Sequence, residues 1–234
     1  HVSELPDADR QGYIDRNGTR KWSPLKNRLT ARFGTKCWYT EAKLVGAPLT
    51  IDHYRPKVHY WWLAFKPDNY RVACPLVNSP GGVGGKGDQF PLLSPSIAAS
   101  NPDSVDQGDP VILDPCRPED VALLAFLPDG RPVLNPAHVA NPTAGHRVAE
   151  SKTLLNLDHP DFNAERAELY ETIQREVACV EALPLGGAPR QQMMDNLERR
   201  LAPDAPYSTA ARFYLMTHRH LSWVQDILDR NPLS

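Results

Sequence analysis

Four polar side chains between residues 49 and 92 have the types and the order that phosphodiester hydrolysis requires. Asp52 and His53 end an apolar run, Asn69 follows, and Asn78 lies nine residues further on. A neutral imidazole can take a proton from water near physiological pH, whereas a carboxylate and an amide oxygen are hard ligands that suit Mg²⁺. The residue types therefore indicate hydrolysis of a phosphodiester with the help of one metal ion.

The segments around these residues resemble the HNH endonuclease family, whose core is a β-hairpin and a helix around one divalent metal ion. They read IDHYRPK, YWWLAF, DNYRVAC and KGDQFPLL. They are most similar to small HNH proteins encoded with an ATPase in bacterial anti-phage systems such as Septu and some retrons. The resemblance is strong over residues 36–115 and weak as far as roughly residue 215.

The resemblance implies a role for each of the four residues. Asp52 is then the acidic metal ligand and His53 the general base. Asn69 braces the loop that holds the base, and Asn78 is the second metal ligand. The implied cofactor is one Mg²⁺ or Mn²⁺ ion per site.

Three basic residues near this set are candidates for contacting nucleic acid. Arg55 and Lys57 follow His53 directly and are in range of a phosphate held at the metal, while Lys86 lies in SPGGVGGKGDQF. This glycine-rich segment has two competing interpretations: a flexible loop that brings Lys86 to a DNA phosphate, or a degenerate remnant that leaves the metal site poorly formed. We adopt the first. A nucleotide-binding P-loop is excluded, because the segment lacks the Lys-Ser/Thr ending of that motif.

Two of the four cysteines, Cys37 and Cys74, resemble what remains of a zinc knuckle. In the related proteins two pairs of cysteines form a tetrahedral site, but here Thr40 and Val77 stand at the other two positions. Two thiolates cannot complete a closed structural zinc site. We therefore predict that structural Zn²⁺ is absent and that Cys37 and Cys74 face each other as packed thiols.

The elements that must position these residues define an α+β fold. We predict a ββα-metal core of the HNH or His-Me finger type, an accessory hairpin and a mostly α-helical C-terminal part. The regions are 1–35, a basic helical segment; 36–115, the HNH core; and 116–234, the hairpin and the helices. In the core, a strand ends at His53, a strand returns over residues 70–74, and residues 75–78 form the first turn of a helix.

Outside the core, the pattern predicts a helix over residues 13–33 that ends at Gly34, a short strand over residues 111–113 and a hairpin at the Asp129-Gly130 pair. Residues 208–228 are predicted to form one apolar helix. The aromatic residues before Asn69 have two interpretations, base stacking or core packing, and packing is favoured because large aromatic residues dominate burial. These residues are Tyr60, Trp61, Trp62 and Phe65.

The amino-acid composition of the chain limits the classes of function that it can have. The 234 residues are 41% hydrophobic and carry a net charge of -2, so the chain as a whole is not a basic nucleic-acid binder. Basic residues concentrate between residues 10 and 43, as a phosphate-binding surface or simply as a solvated helical face. No apolar run indicates a membrane span and no signal-peptide pattern is present, so we expect a cytoplasmic protein.

The function expected from these observations is metal-dependent cleavage of DNA. The resemblance also implies a partner, an ATPase with a coiled-coil or ABC-like body, which would supply much of the DNA affinity of the complex. Two alternatives stay open. One is a scaffold subunit that retains the fold, docks on the ATPase or on nucleic acid, and does not cut; the other is an RNA- or tRNA-directed nuclease with the same chemistry.

Overall fold

The chain has an α+β fold that is mostly helical, in a computed structural model that describes residues 2–43, 46, 48–78, 85–93, 98–104 and 109–233. Within these residues there are eight α-helices and two small antiparallel sheets of two strands each. The first half of the predicted glycine-rich loop, residues 79–84, lies outside the described residues. Among the helices that the structure describes, none is long and apolar enough to cross a membrane.

Helix α1, Asp7–Phe33, begins earlier than the sequence pattern predicts and contains Pro24. A proline inside a helix removes a backbone donor and costs about 3 kcal/mol. The helix must therefore be stabilised by its packing, and it lies against the first sheet. Its end agrees with the prediction, because Gly34 adopts a φ of 79°, which a residue with a side chain rarely takes.

The first sheet pairs strand β1, Thr50–His53, with strand β2, Tyr70–Ala73, in antiparallel orientation. The one-turn helix α2, Pro75–Asn78, follows directly. These elements confirm the predicted order of strand, returning strand and helical turn. The β-branched Thr50 and Ile51 favour the first strand, and a proline at the first helical position suits the start of α2.

The second sheet is the predicted accessory hairpin. After the short helix α3, Pro118–Val121, strand β3, Leu124–Phe126, pairs with strand β4, Pro132–Leu134. Gly130 in the connecting turn has a φ of 81°, and a Cβ at this position would lie 1.9 Å from the carbonyl oxygen of Asn163. Glycine is therefore required here both by the backbone conformation and by the close approach of the neighbouring helix.

The strand predicted over residues 111–113 is wrong. Only an isolated bridge between Leu92 and Pro110 forms at this place in the described chain. The backbone N–H of Val111 still donates to the carbonyl of Pro91, but that of Leu113 donates to the Ser151 hydroxyl over 2.9 Å, so the backbone pairing does not extend into a strand. A buried backbone group needs a partner, but the partner need not be a strand.

The C-terminal part consists of five α-helices. They are α4, Pro142–Leu154; α5, Pro160–Ala182; α6, Ala188–Arg199; α7, Ser208–Met216; and α8, Ser222–Arg230. The prediction of one helix over residues 208–228 is wrong, because residues 217–221 form a turn. The turn lets α8 pack against α7, and Trp223 and Ile227 of α8 are buried.

One hydrophobic core joins the first sheet to the C-terminal helices. A polar contact beside it makes the same connection. The Glu41 carboxylate accepts hydrogen bonds from the backbone N–H of Thr209 (2.9 Å) and the hydroxyl of Ser208 (2.7 Å), and the ammonium group of Lys36 lies 3.0 Å away. A carboxylate at the start of α7 satisfies a free backbone donor and interacts favourably with the helix dipole.

A buried ion pair links β2 to the segment before α3. The Arg71 guanidinium donates to both carboxylate oxygens of Asp114, over 2.7 and 2.6 Å, and both side chains are 7% exposed. In this paired arrangement the two charges compensate each other away from water.

We predict that Arg71→Met lowers the free energy of unfolding by about 3–5 kcal/mol, because Asp114 is left buried without its counter-ion. Urea denaturation measures the change. The matched control is Arg131→Met, which breaks the exposed pair with Asp129 and is expected to cost about 1 kcal/mol or less. Equal losses in the two variants would contradict the prediction.

Candidate active site

The first hairpin sends Asp52 and His53 to opposite faces. Asp52 lies opposite Arg71 in the register, and His53 lies opposite Tyr70. Because neighbouring residues of a strand alternate between faces, the two side chains enter different surroundings. Asn78 is on the Asp52 side, since its amide donates to the hydroxyl of Thr50 over 3.1 Å.

The Asp52 carboxylate is buried, with 3% exposure, and both of its oxygens have partners. Oδ2 accepts a hydrogen bond of 2.6 Å from the hydroxyl of Tyr39, and Oδ1 lies 3.0 Å from the ammonium nitrogen of Lys86. Burial, together with the negative charge of Asp52, raises the pKa of Tyr39 well above its ordinary value. Tyr39 therefore stays a protonated donor to Asp52 throughout the physiological range.

Lys86 is fully buried, which differs from its predicted position at a DNA phosphate. Its ammonium group also donates to the backbone carbonyl of His53 over 2.7 Å. Its backbone N–H donates to the carbonyl of Val77 in α2. An unpaired carboxylate such as Asp52 is very costly to bury, and this cost explains why the lysine turns inward rather than toward solvent.

The residue types at this face suit a divalent ion, but Lys86 holds the position beside the carboxylate. Asp52 and Asn78 offer hard oxygen donors on adjacent elements. Among the described residues, however, no hydrogen bond joins these two side chains, and no cluster of three or more His, Cys, Asp or Glu side chains could hold a metal. A divalent ion at Asp52 would therefore have to replace the ammonium group.

The ring of His53 is held on the other face. Its Nε2 lies 2.9 Å from the carbonyl oxygen of Ala64, and since a carbonyl only accepts, Nε2 carries a proton and Nδ1 of the neutral ring is an acceptor. The rings of Trp22 and Tyr70 meet the imidazole edge to face, at centroid distances of 4.8 and 5.1 Å. Burial lowers the pKa of His53, which favours the neutral form that can accept a proton.

Asn69 lies between the loop after β1 and the start of β2. Its side-chain oxygen accepts from the backbone N–H of Arg55 (2.8 Å), and its amide donates to the carbonyl of the same residue (2.9 Å). A third, longer contact reaches the carbonyl of Leu63. One buried side chain thus satisfies both backbone groups of a residue two positions after His53.

Arg55 and Lys57, predicted to contact nucleic acid, have partners inside the chain. The Arg55 guanidinium lies over the rings of Tyr60 and Phe90, 5.2 and 4.8 Å from their centroids. The ammonium group of Lys57 pairs with the carboxylate of Asp15 in α1 over 2.6 Å. These contacts orient both basic residues near the hairpin.

Cys37 and Cys74 confirm the prediction of facing, unbridged thiols. Both are free and fully buried. Burial alone would raise the pKa of Cys37, but hydrogen bonds from Cys74 and Thr40 lower it to about 6. The hydrogen bond to Cys37, together with burial, raises the pKa of Cys74. Thr40, at a position where the predicted zinc knuckle would have a cysteine, thus acts as a hydrogen-bond partner of Cys37.

Sequence reasoning missed two residues that shape the site, Tyr39 and Trp22. Tyr39 lies in the Cys37–Thr40 segment, which the predicted knuckle already placed beside the hairpin, so its contact with this region could have been found. Trp22 belongs to α1, and nothing in the sequence pattern relates that helix to His53.

A cavity of about 610 Å³ borders this region, and Tyr39 and Tyr70 line it. Trp38, Arg71 and Cys116 are among the residues that line it. Asp52, His53 and Asn78, all within the described part of the chain, are not among its lining residues. The cavity therefore does not include the two proposed metal ligands or the proposed base.

Comparison with known proteins gives no independent assignment. A scan against models of protein families finds no match for the chain, and a search of curated proteins finds no similar sequence. The resemblance to HNH endonucleases therefore stays a prediction, and the functional argument depends on the residues of the site.

We predict that Asn69→Ala lowers the free energy of unfolding by about 2 kcal/mol, because both backbone groups of Arg55 lose their partner. Chemical denaturation measures the loss, and hydrogen exchange at the Arg55 amide should become faster. Asn101→Ala is the control, since among the described residues the exposed Asn101 side chain accepts from a single backbone N–H, that of Asp103. An Asn69→Ala variant as stable as this control would rule out the bracing role.

Proposed function

We propose that the protein is an HNH-type endonuclease that hydrolyses DNA phosphodiester bonds, with β1, β2 and α2 as its ββα-metal core. The observation that carries this proposal is the arrangement of His53. Its imidazole is fixed through Nε2 to a backbone carbonyl, its neutral form is favoured by burial, and its loop is braced by Asn69. A general base requires such a combination of fixed orientation and available lone pair.

The proposed reaction requires the scissile phosphate to lie at the end of β1, where both faces of the hairpin can be reached, because Asp52 and His53 point to opposite faces. Nδ1 of His53 takes a proton from a water molecule, the water oxygen forms a bond to phosphorus, and the bond between phosphorus and the 3′ oxygen breaks. Asp52 and Asn78 would hold Mg²⁺ or Mn²⁺, which when bound supplies positive charge to the phosphate and the departing oxygen. Asn69 keeps the backbone after His53 in place during these steps.

The basic face of α1 supports nucleic acid as the substrate. Arg16, Arg20, Lys21 and Arg28 are all exposed on this helix, and α1 packs against the hairpin that carries His53. Arginine and lysine side chains on a helix can follow a phosphate backbone without reading its sequence. These residues therefore support a phosphate-binding surface on α1 as part of the proposal.

The proposal includes a partner and a compartment. A net charge of -2 is low for a nuclease that binds DNA alone, which supports an effector subunit that works with an ATPase of the coiled-coil or ABC type in an anti-phage complex. Free, buried thiols at Cys37 and Cys74 are in keeping with a reducing cytoplasm.

One observation favours the second candidate, a scaffold subunit that does not cut. The ion pair between Lys86 and Asp52 fills the position that the divalent ion would take. In that case the chain would keep the fold, and the exposed basic face of α1 would serve binding alone. Cleavage assays separate the two functions directly.

We predict that His53→Ala reduces the rate of plasmid nicking in Mg²⁺ by about 100-fold or more, since general bases contribute roughly 10²–10⁴-fold. The control is His59→Ala, which changes an exposed histidine in the same loop and should cut like the parent. Circular dichroism checks that both variants are folded.

The same assay, run with a chelator and with labelled DNA and RNA in parallel, decides between the alternatives. Chelator-sensitive cutting of DNA supports the proposal, and preferential cutting of RNA would indicate the RNA-directed nuclease. If the parent cuts neither nucleic acid with the ATPase partner present, the scaffold function is correct.

A further inference from the structure

We infer that Lys86 is an internal cation that competes with a divalent metal ion for Asp52, so that the metal binds only when the lysine side chain leaves. The inference rests on the proposed function, because it takes Asp52 as the metal ligand. It goes further in naming the residue that controls entry of the ion.

The contacts of the Lys86 ammonium group resemble those of a bound cation. Its nitrogen lies 3.0 Å from Oδ1 of Asp52 and 2.7 Å from the carbonyl oxygen of His53, and the side chain has no exposed surface. Carboxylate and carbonyl oxygens are also what Mg²⁺ and Mn²⁺ bind in proteins. The lysine therefore fills a cation site built from hard oxygen donors.

Joint occupation by the lysine and a metal is electrostatically unfavourable. A divalent ion on Asp52 would lie within a few ångströms of the ammonium group, where little water screens the repulsion. The second oxygen of Asp52 is a poorer position for the ion, because it already accepts a short hydrogen bond from Tyr39 and belongs to the same carboxylate that Lys86 contacts. Binding of the metal and retention of the lysine contact therefore exclude each other.

The position of Lys86 in the chain connects this competition to the second proposed ligand. Its backbone N–H is bonded to the carbonyl of Val77, the residue before Asn78. The side-chain nitrogen of Asn78 donates a hydrogen bond to the hydroxyl of Thr50. No contact among the described residues joins the side-chain oxygen of Asn78 to Asp52. If the side chain of Lys86 left, the Asp52 carboxylate would be free to bind an ion beside α2, the helical turn that carries Asn78.

The first test measures Mn²⁺ binding by calorimetry to the full chain, the Lys86→Met variant and two controls. Lys86→Met should lower the Kd by about tenfold or more, within the usual range of coupling between two binding events. Lys66→Met changes an exposed lysine and should leave the Kd unchanged. Asp52→Asn combined with Lys86→Met should remove the gain. An unchanged Kd in a folded Lys86→Met variant overturns the inference.

The second test uses the unaltered protein, so it does not depend on the folding of a variant. An amine-acylating reagent should leave the buried Lys86 unmodified without metal and should modify it at saturating Mn²⁺, as read by mass spectrometry. Lys66 gives the internal reference for reagent strength. If saturating Mn²⁺ leaves Lys86 protected, or if the unaltered protein binds no Mn²⁺ and Lys86→Met gains none, the inference is wrong.

The failure of the proposed function is distinguishable from the failure of this inference. Tighter Mn²⁺ binding by Lys86→Met with no cleavage of nucleic acid by any variant supports the competition and rejects the nuclease. Chelator-sensitive cleavage with Lys86 protected at saturating Mn²⁺ supports the nuclease and rejects the competition.

Discussion

The burial of one carboxylate, that of Asp52, organises the centre of this structure. A charged oxygen away from water is tolerated only when it is paired and hydrogen-bonded. Tyr39 and Lys86 meet this requirement from different parts of the chain, one before β1 and one after α2. The same carboxylate therefore joins the segment that carries Cys37, the hairpin and the segment that follows α2, and their relative positions depend on it.

Much of the local structure follows from the sequence, because short-range signals determine it. The strands of the first hairpin, the turn at Pro75–Asn78 and the hairpin at Gly130 each have a local cause in β-branched residues, a proline or a required glycine. The facing thiols of Cys37 and Cys74 were also predictable, since the knuckle resemblance places them together.

The remaining features depend on contacts between residues that are distant in sequence. Lys86 follows a glycine-rich segment, and its composition gives no sign of a carboxylate partner 34 positions earlier. The break between α7 and α8 has a similar cause, because an apolar pattern over residues 208–228 is compatible with one long helix or with two that fold together. In both cases the sequence pattern is compatible with two local structures. Which of them forms depends on the side chains that the whole fold buries.

The contact of Glu41 with the start of α7 would help to hold the protein together after proteolytic cleavage of the backbone. This contact, the hydrogen bond from Leu113 to Ser151 and the common hydrophobic core all connect residues before position 115 to residues after it. A single proteolytic nick in the exposed stretch near Cys116 would leave two fragments that stay associated, since neither can bury its apolar face alone. The two halves of the chain are thus complementary pieces of one folding unit, and co-expressed fragments should reassemble.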